Sequence, residues 1–265
     1  MKRIGVFIVI ILCLSSCEDT VEVDLNTEEP RLVIEATGIQ KERESIGQFQ
    51  VKLTETAPYF QDSIPVISNA KITLEINGKT IEIPESAANP GVYQRSVPMI
   101  NDEDYKLTIE VKDEIYQGIT QLHKTTPIDA ISQEKGIFNP DDVLLKIFYT
   151  DPPDESNFYL FTFISKHGKE LIYSDDTYYD GHRASMLYNE EFIAGDSITV
   201  RIHGTGKGFN RYISILLDQS NPTNNPFATP PGTVRGNMIN VEDSEKFPLG
   251  YFRISQEYEK KYIIE

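Results

Sequence analysis

AKITLEINGKTIEI, residues 70–83, decides the fold class: Ile72, Leu74, Ile76, Ile81 and Ile83 alternate with polar residues, and Asn77-Gly78 stands between the two runs. Alternation of period two sends every second side chain to one face of a strand. An Asn-Gly pair supplies the two positive-φ positions of a tight hairpin turn. The stretch is therefore expected as a hairpin of strands Ala70–Ile76 and Lys79–Ile83.

The same pattern extends to both sides. Runs rich in Val, Ile, Thr and Tyr, separated by Gly, Pro, Asn and Asp, predict strands at Leu32–Ile39, Phe49–Glu55, Gly91–Val97, Tyr105–Val111 and Ile115–Leu122. Short strands spaced by turn signals fit an immunoglobulin-like β-sandwich over residues 31–126. An antibody-type domain is excluded, because the chain has no Trp and its two cysteines, Cys13 and Cys17, both precede the sandwich. Pro127 in Thr125-Thr126-Pro127-Ile128-Asp129 biases its predecessor to an extended conformation and marks the expected domain boundary.

Residues 127–265 are expected to form a second antiparallel β domain, sandwich or barrel-like, with one packed helix. Strands are predicted at Val143–Thr150, Phe158–Ser165, Ala184–Phe192, Ser197–His203, Val234–Ile239, Leu249–Ile254 and Tyr258–Ile264. The apolar run from Phe158 to Phe163 suits a central strand covered on both faces. Phe209, Tyr212, Ile213, Leu216 and Leu217 recur at the spacing of an amphipathic helix near residues 208–219, packed on the second sheet. The proline-rich segment from Asn221 to Gly232 is expected as a loop.

Lys2 and Arg3, the apolar run Ile4–Leu14 and the ending Ser15-Ser16-Cys17 have the layout of an export signal spanning residues 1–16. The apolar run is shorter than the twenty or so residues that cross a bilayer. The ending resembles a bacterial lipobox, which implies a lipid on Cys17 that anchors the body to a membrane while leaving it in water. Residues 17–30 then form an acidic tether. Glu18 and Asp19 resemble the surface-export signal of Bacteroidota lipoproteins, which implies an outer-membrane location facing the exterior. The net charge of −16 makes nucleic acid and anionic lipid poor partners.

Leu32-Val33-Ile34-Glu35, Asn69-Ala70-Lys71-Ile72, Gly91-Val92-Tyr93, Tyr105-Lys106-Leu107, Thr126-Pro127-Ile128-Asp129, Asn225-Pro226-Phe227 and Leu249-Gly250-Tyr251-Phe252 follow Cys17 in an order that is specific as a set. The chain thereby resembles the Bacteroidota lipoproteins grouped as domain of unknown function forty-two forty-nine. That resemblance implies an accessory, ligand-capturing role beside a TonB-dependent receptor in nutrient uptake. It carries no catalytic residues.

Chemistry is sparse. His123, His167, His182 and His203 stand apart, with no zinc spacing, so no metal and no cofactor are expected. Gly204–Gly208 lacks the glycine spacing of a phosphate loop and reads as a turn. Asp175–Gly181 suggests calcium but departs from the twelve-residue loop pattern, which leaves a turn. Tyr178 and Tyr179 either pack on the sheet or, with Asp176, Asp180 and Arg183, meet a partner or sugar. Asn225 and Phe227 in the proline-rich loop complete the expected contact set, provided the two loops share one end of the sheet. The expected function is thus non-enzymatic binding of a small ligand, glycan or peptide. A surface hydrolase and a structural or adhesive outer-membrane component are the alternatives.

Overall fold

The computed structural model describes residues 29–58, 61, 63–136, 139, 142–220 and 232–265. The strands are β1 (Leu32–Lys41), β2 (Ile46–Glu55), β3 (Lys71–Ile76), β4 (Lys79–Glu82), β5 (Glu85–Ser86), β6 (Asn89–Pro98), β7 (Tyr105–Val111), β8 (Glu114–Thr120), β9 (Leu122–His123), β10 (Ile128–Lys135), β11 (Val143–Thr150), β12 (Phe158–Ser165), β13 (Gly168–Asp175), β14 (Arg183–Glu190), β15 (Ser197–Thr205), β16 (Ile239–Asn240) and β17 (Leu249–Ile263). A single helix, α1 (Lys207–Ser220), follows β15 among the described residues. The β3–β4 hairpin turns on Asn77 (φ 47°) and Gly78 (φ 69°), as its dipeptide requires.

Three sheets result. The largest has nine strands in the order β13-β12-β15-β17-β1-β2-β6-β5, with β9 beside β17. β16-β8-β7-β3-β4 make a second sheet and β10-β11-β14 a third. The two small sheets cover one face of the large one, each closing its own core. Ile34, Phe49, Leu53, Leu74, Leu107 and Ile109 fill the first core, all without solvent exposure. In the second core Phe161, Phe163 and Val200 meet Leu145, Ile147 and Tyr188, and the Phe163 and Tyr188 rings stack at 4.1 Å. Each such side chain contributes about 1.5–3 kcal/mol by leaving water, and together they hold two sandwiches without a disulfide. The immunoglobulin-like architecture and the single packed helix agree with the sequence.

The division into residues 31–126 and 127–265 needs one correction. β17 is one strand of 15 residues rather than two short ones. Its first half pairs parallel with β1, from Val33↔Leu249 to Lys41↔Glu257, and its second half pairs antiparallel with β15. Phe252 and Ile254, together with Met238, therefore belong to the first core. The predicted strand 234–239 is reduced to Ile239–Asn240. Upstream of it, the Asn237 carboxamide acts as a strand neighbour, accepting from Phe252 N–H at 2.8 Å and donating to Phe252 C=O at 2.7 Å. β10 and β13 are additional edge strands that the alternation does not predict.

Candidate functional site

The loop between β13 and β14 is a turn tied by carboxylates. Asp176 accepts from Asn157 N–H at 2.6 Å, Asp180 from Asp154 N–H at 3.0 Å, and Asp151 from Gly181 N–H at 3.2 Å and from the Tyr159 hydroxyl. Burial raises the Asp151 carboxyl above its ordinary range. Carboxylate oxygens of Asp151, Asp176 and Asp180 lie within 4.8 Å of one another. Since each carboxylate already receives hydrogen bonds that shape the loop, the trio is explained as scaffold. Tyr178 does not pack on the sheet: it is 86% exposed, and Tyr179, 39% exposed, meets its ring edge to face at 6.5 Å. Arg183 is committed elsewhere, 4.4 Å above the Phe148 ring and 3.8 Å from Asp129. Cys17, Glu18, Asp19, Asn225 and Phe227 lie outside the described residues, as does most of the second expected loop.

A different place gathers chemistry. The face of the large sheet opposite the two small sheets carries a cleft of about 550 Å³, floored by β1, β2, β12, β13, β15 and β17 and walled by Phe209 and Ile213 of α1. Strand register sets its polar rows. Glu257 stands opposite His203, which stands opposite Leu160; Glu259 stands opposite Arg201, which stands opposite Thr162; Thr37 stands opposite Arg253. α1 is fixed beside this floor by Phe209 and Tyr212 against Tyr251, with centroids 5.2 and 5.0 Å apart, and by Asn210 donating to the Ser174 carbonyl at 3.0 Å. The Arg253 guanidinium lies 5.1 Å from the Phe209 ring and donates to Ser255 Oγ at 2.7 Å. Burial brings its pKa down to about 10.

The model of the family described as "Domain of unknown function (DUF4249)" matches residues 18–261. The chain belongs to that family. Among curated proteins none matches it. The DUF4249 chain is similar to a chain titled as a cytokine receptor complex (10% identity, 66% of this chain and 86% of that one, TM-score 0.28). It is also similar to a two-domain fibronectin type III segment of chicken tenascin (11% identity, 67% and 91% coverage, TM-score 0.22) and to the chicken interferon gamma receptor alpha chain (7%, 67% and 89%, TM-score 0.21).

In the DUF4249 cleft, Thr162 Oγ1 lies 3.3 Å from His203 Nε2, and His203 Nδ1 lies 3.5 Å from Glu257 Oε2. This is a hydroxyl–imidazole–carboxylate row. Thr162, however, sits mid-strand between two paired neighbours, so its surrounding amides serve the ladder rather than an oxyanion. The residues flooring this cleft were not singled out from sequence as a site, because a cleft assembled across six strands leaves no local motif.

His203 is 5% exposed. Burial, and then the charges of Arg253, Arg201 and Lys169, hold its pKa well below the ordinary value, so the folded ring is neutral. The unfolded chain takes up the proton more readily. The resulting stability is present above about pH 6.5 and is lost as pH falls, by up to about 1.4 kcal/mol per unit. His203→Gln should abolish this slope. The unfolding free energies of the two chains, measured from pH 7.5 to 5, are expected to converge on acidification; a constant difference would contradict a neutral ring. His123, lowered by burial, titrates in both chains and cancels.

Proposed function

We propose that this protein is a non-enzymatic capture module of an outer-membrane uptake system, held by a lipid on Cys17, facing the cell exterior and working with a TonB-dependent receptor. The observation that carries the binding part of this reading is the charged cleft on the shared sheet. Both sandwiches contribute to its floor, so a rigid concave surface larger than either sheet alone is presented to solvent. Rigid scaffolds that hold a few polar groups in a partly apolar cleft are what small-ligand sites require. The acidic tether after Cys17 and the family membership support the location and the partner.

Two measurements test it. Cys17→Ser is expected to abolish labelling by radioactive fatty acid and to release the chain from the membrane fraction. Affinity purification of the tagged lipoprotein from mildly solubilised outer membranes is expected to recover one TonB-dependent receptor in near-equal amount. Recovery of no receptor would remove the uptake role. The Thr162–His203–Glu257 row favours the hydrolase alternative, and covalent labelling of Thr162 by a fluorophosphonate probe would establish it over the capture reading.

A further inference from the structure

The cleft holds more positive charge than the rest of this acidic molecule leads one to expect. Lys52, Lys169, Arg201 and Arg253 line it against two carboxylates, Glu35 and Glu257, in a chain of net charge −16. Two of the cations are neutralised locally: Lys52 pairs with Glu35 at 3.4 Å, and Arg201 with Glu259 at 2.7 Å and Glu257 at 4.0 Å. Lys169 and Arg253 have no carboxylate within ion-pair distance among the described residues.

Arg253 is the unusual one. Its guanidinium has five N–H donors, and the contacts the structure gives it are Ser255 Oγ and the face of Phe209. Glu257 is its counter-charge through space, but no carboxylate among the described residues touches it, and a cation half-sunk in a protein floor without a direct ion pair is costly. Beside it, buried His203 Nδ1 makes no hydrogen bond, its nearest carboxylate being Glu257 Oε2 at 3.5 Å. The polar floor is bounded by Leu160, Leu171, Phe209 and Ile213. Unused donors thus adjoin an apolar wall within one cleft.

We infer that the cleft binds organic carboxylates, with the acid group on Arg253, Lys169 supplying long-range attraction, and the ligand body against the apolar wall. A planar guanidinium presents two parallel N–H groups that match the two oxygens of a carboxylate. Inorganic phosphate or sulfate would use the same donors but would leave the apolar wall empty, so an acid with an apolar or ring body fits better. This inference rests on the capture reading of the same cleft and narrows it to a ligand class.

The test is saturation-transfer NMR on the detergent-solubilised full chain. The probes are benzoate, phenylacetate and galacturonate, each beside its neutral amide, with inorganic phosphate as competitor. The acids are expected to give a response at least about tenfold stronger than their amides, consistent with a lost charge-assisted pair. Arg253→Gln should abolish that preference. Lys169→Gln, on the exposed edge strand β13 where folding is not at stake, should weaken it about threefold and make the remainder less dependent on salt. Equal responses from acids and amides would overturn the carboxylate assignment while leaving capture at the cleft standing. Displacement by phosphate at the same concentration would mark a general oxyanion site and overturn the organic ligand class. No response from any acid would overturn the inference, whereas the receptor purification would be unaffected by it.

Discussion

Phe252→Ala is expected to destabilise the protein by about 3–5 kcal/mol, the cost of removing a buried aromatic ring from a packed core. The ring has no solvent exposure and meets Phe49 edge to face at 5.9 Å. Its position on β17 makes the consequence wider than one core. The strand continues from Phe252 and Ile254 into residues that pack on the second core, Tyr258 and Tyr262. The two cores should therefore melt together. With no Trp in the chain, far-ultraviolet circular dichroism and tyrosine fluorescence during a urea titration would follow the loss. One displaced transition is expected in both signals. Two transitions, with the later one at the wild-type midpoint, would show that the sandwiches are energetically independent.

Gly204→Ala is expected to cost a comparable amount, about 3–5 kcal/mol, although it adds a single methyl group. A Cβ at this position would lie 1.9 Å from the Lys124 carbonyl oxygen and 2.6 Å from that of His123. Both obstacles are backbone, so no side chain can turn aside to make room. The segment they belong to links the sandwiches and is held on both sides: β9 pairs with β17 before it, and after it Thr125 N–H donates to Gln256 Oε1 at 3.0 Å and Thr126 Oγ1 to the Thr150 carbonyl at 2.8 Å. Gly232, where an added Cβ meets nothing within 4 Å, provides the control. Gly232→Ala should be neutral or stabilising by up to about 1 kcal/mol, through the less flexible unfolded chain. Similar midpoints for the two variants in thermal melts would contradict the close approach.

Much of the fold is legible in the sequence because most strands have one face in a core and one in water. β3, β7 and β11 keep this alternation, and their predicted limits match closely. β10 and β13 escaped because they are edge strands with little burial, so nothing forces their residues to alternate. The break expected in β17 has the opposite cause. Ser255, Gln256 and Glu257 look like the polar end of a strand, yet all three are buried, at 0%, 8% and 5% exposure, where the strand passes from one core to the other. Gln256 bridges the linker and the β1–β2 turn there, its Nε2 donating to the Glu42 carbonyl. A polar residue that serves as a junction cannot be told by type from one that faces solvent.

The site was less legible. Tyr178 and Asp180 stand out because they are close in sequence, whereas Lys52, His203 and Arg253 come together only through the pairing of distant strands. The signal that was available is parity: Arg201 and His203 alternate with Val200 and Ile202, and Arg253 and Glu257 with Phe252 and Ile254. Charges placed regularly on the outer face of central strands are unusual enough to direct attention to that face.

The pairing of β1 with β17 also constrains the order in which the molecule can be built. Residue 33 finds its strand neighbour at residue 249, so nearly the whole intervening chain must be looped out before the parallel ladder can close. Loop closure over such a span is entropically unfavourable and slow. The earliest strands to be synthesised consequently remain without their central partner until the last ones have appeared. A partial product that lacks β17 has no complete large sheet to settle into.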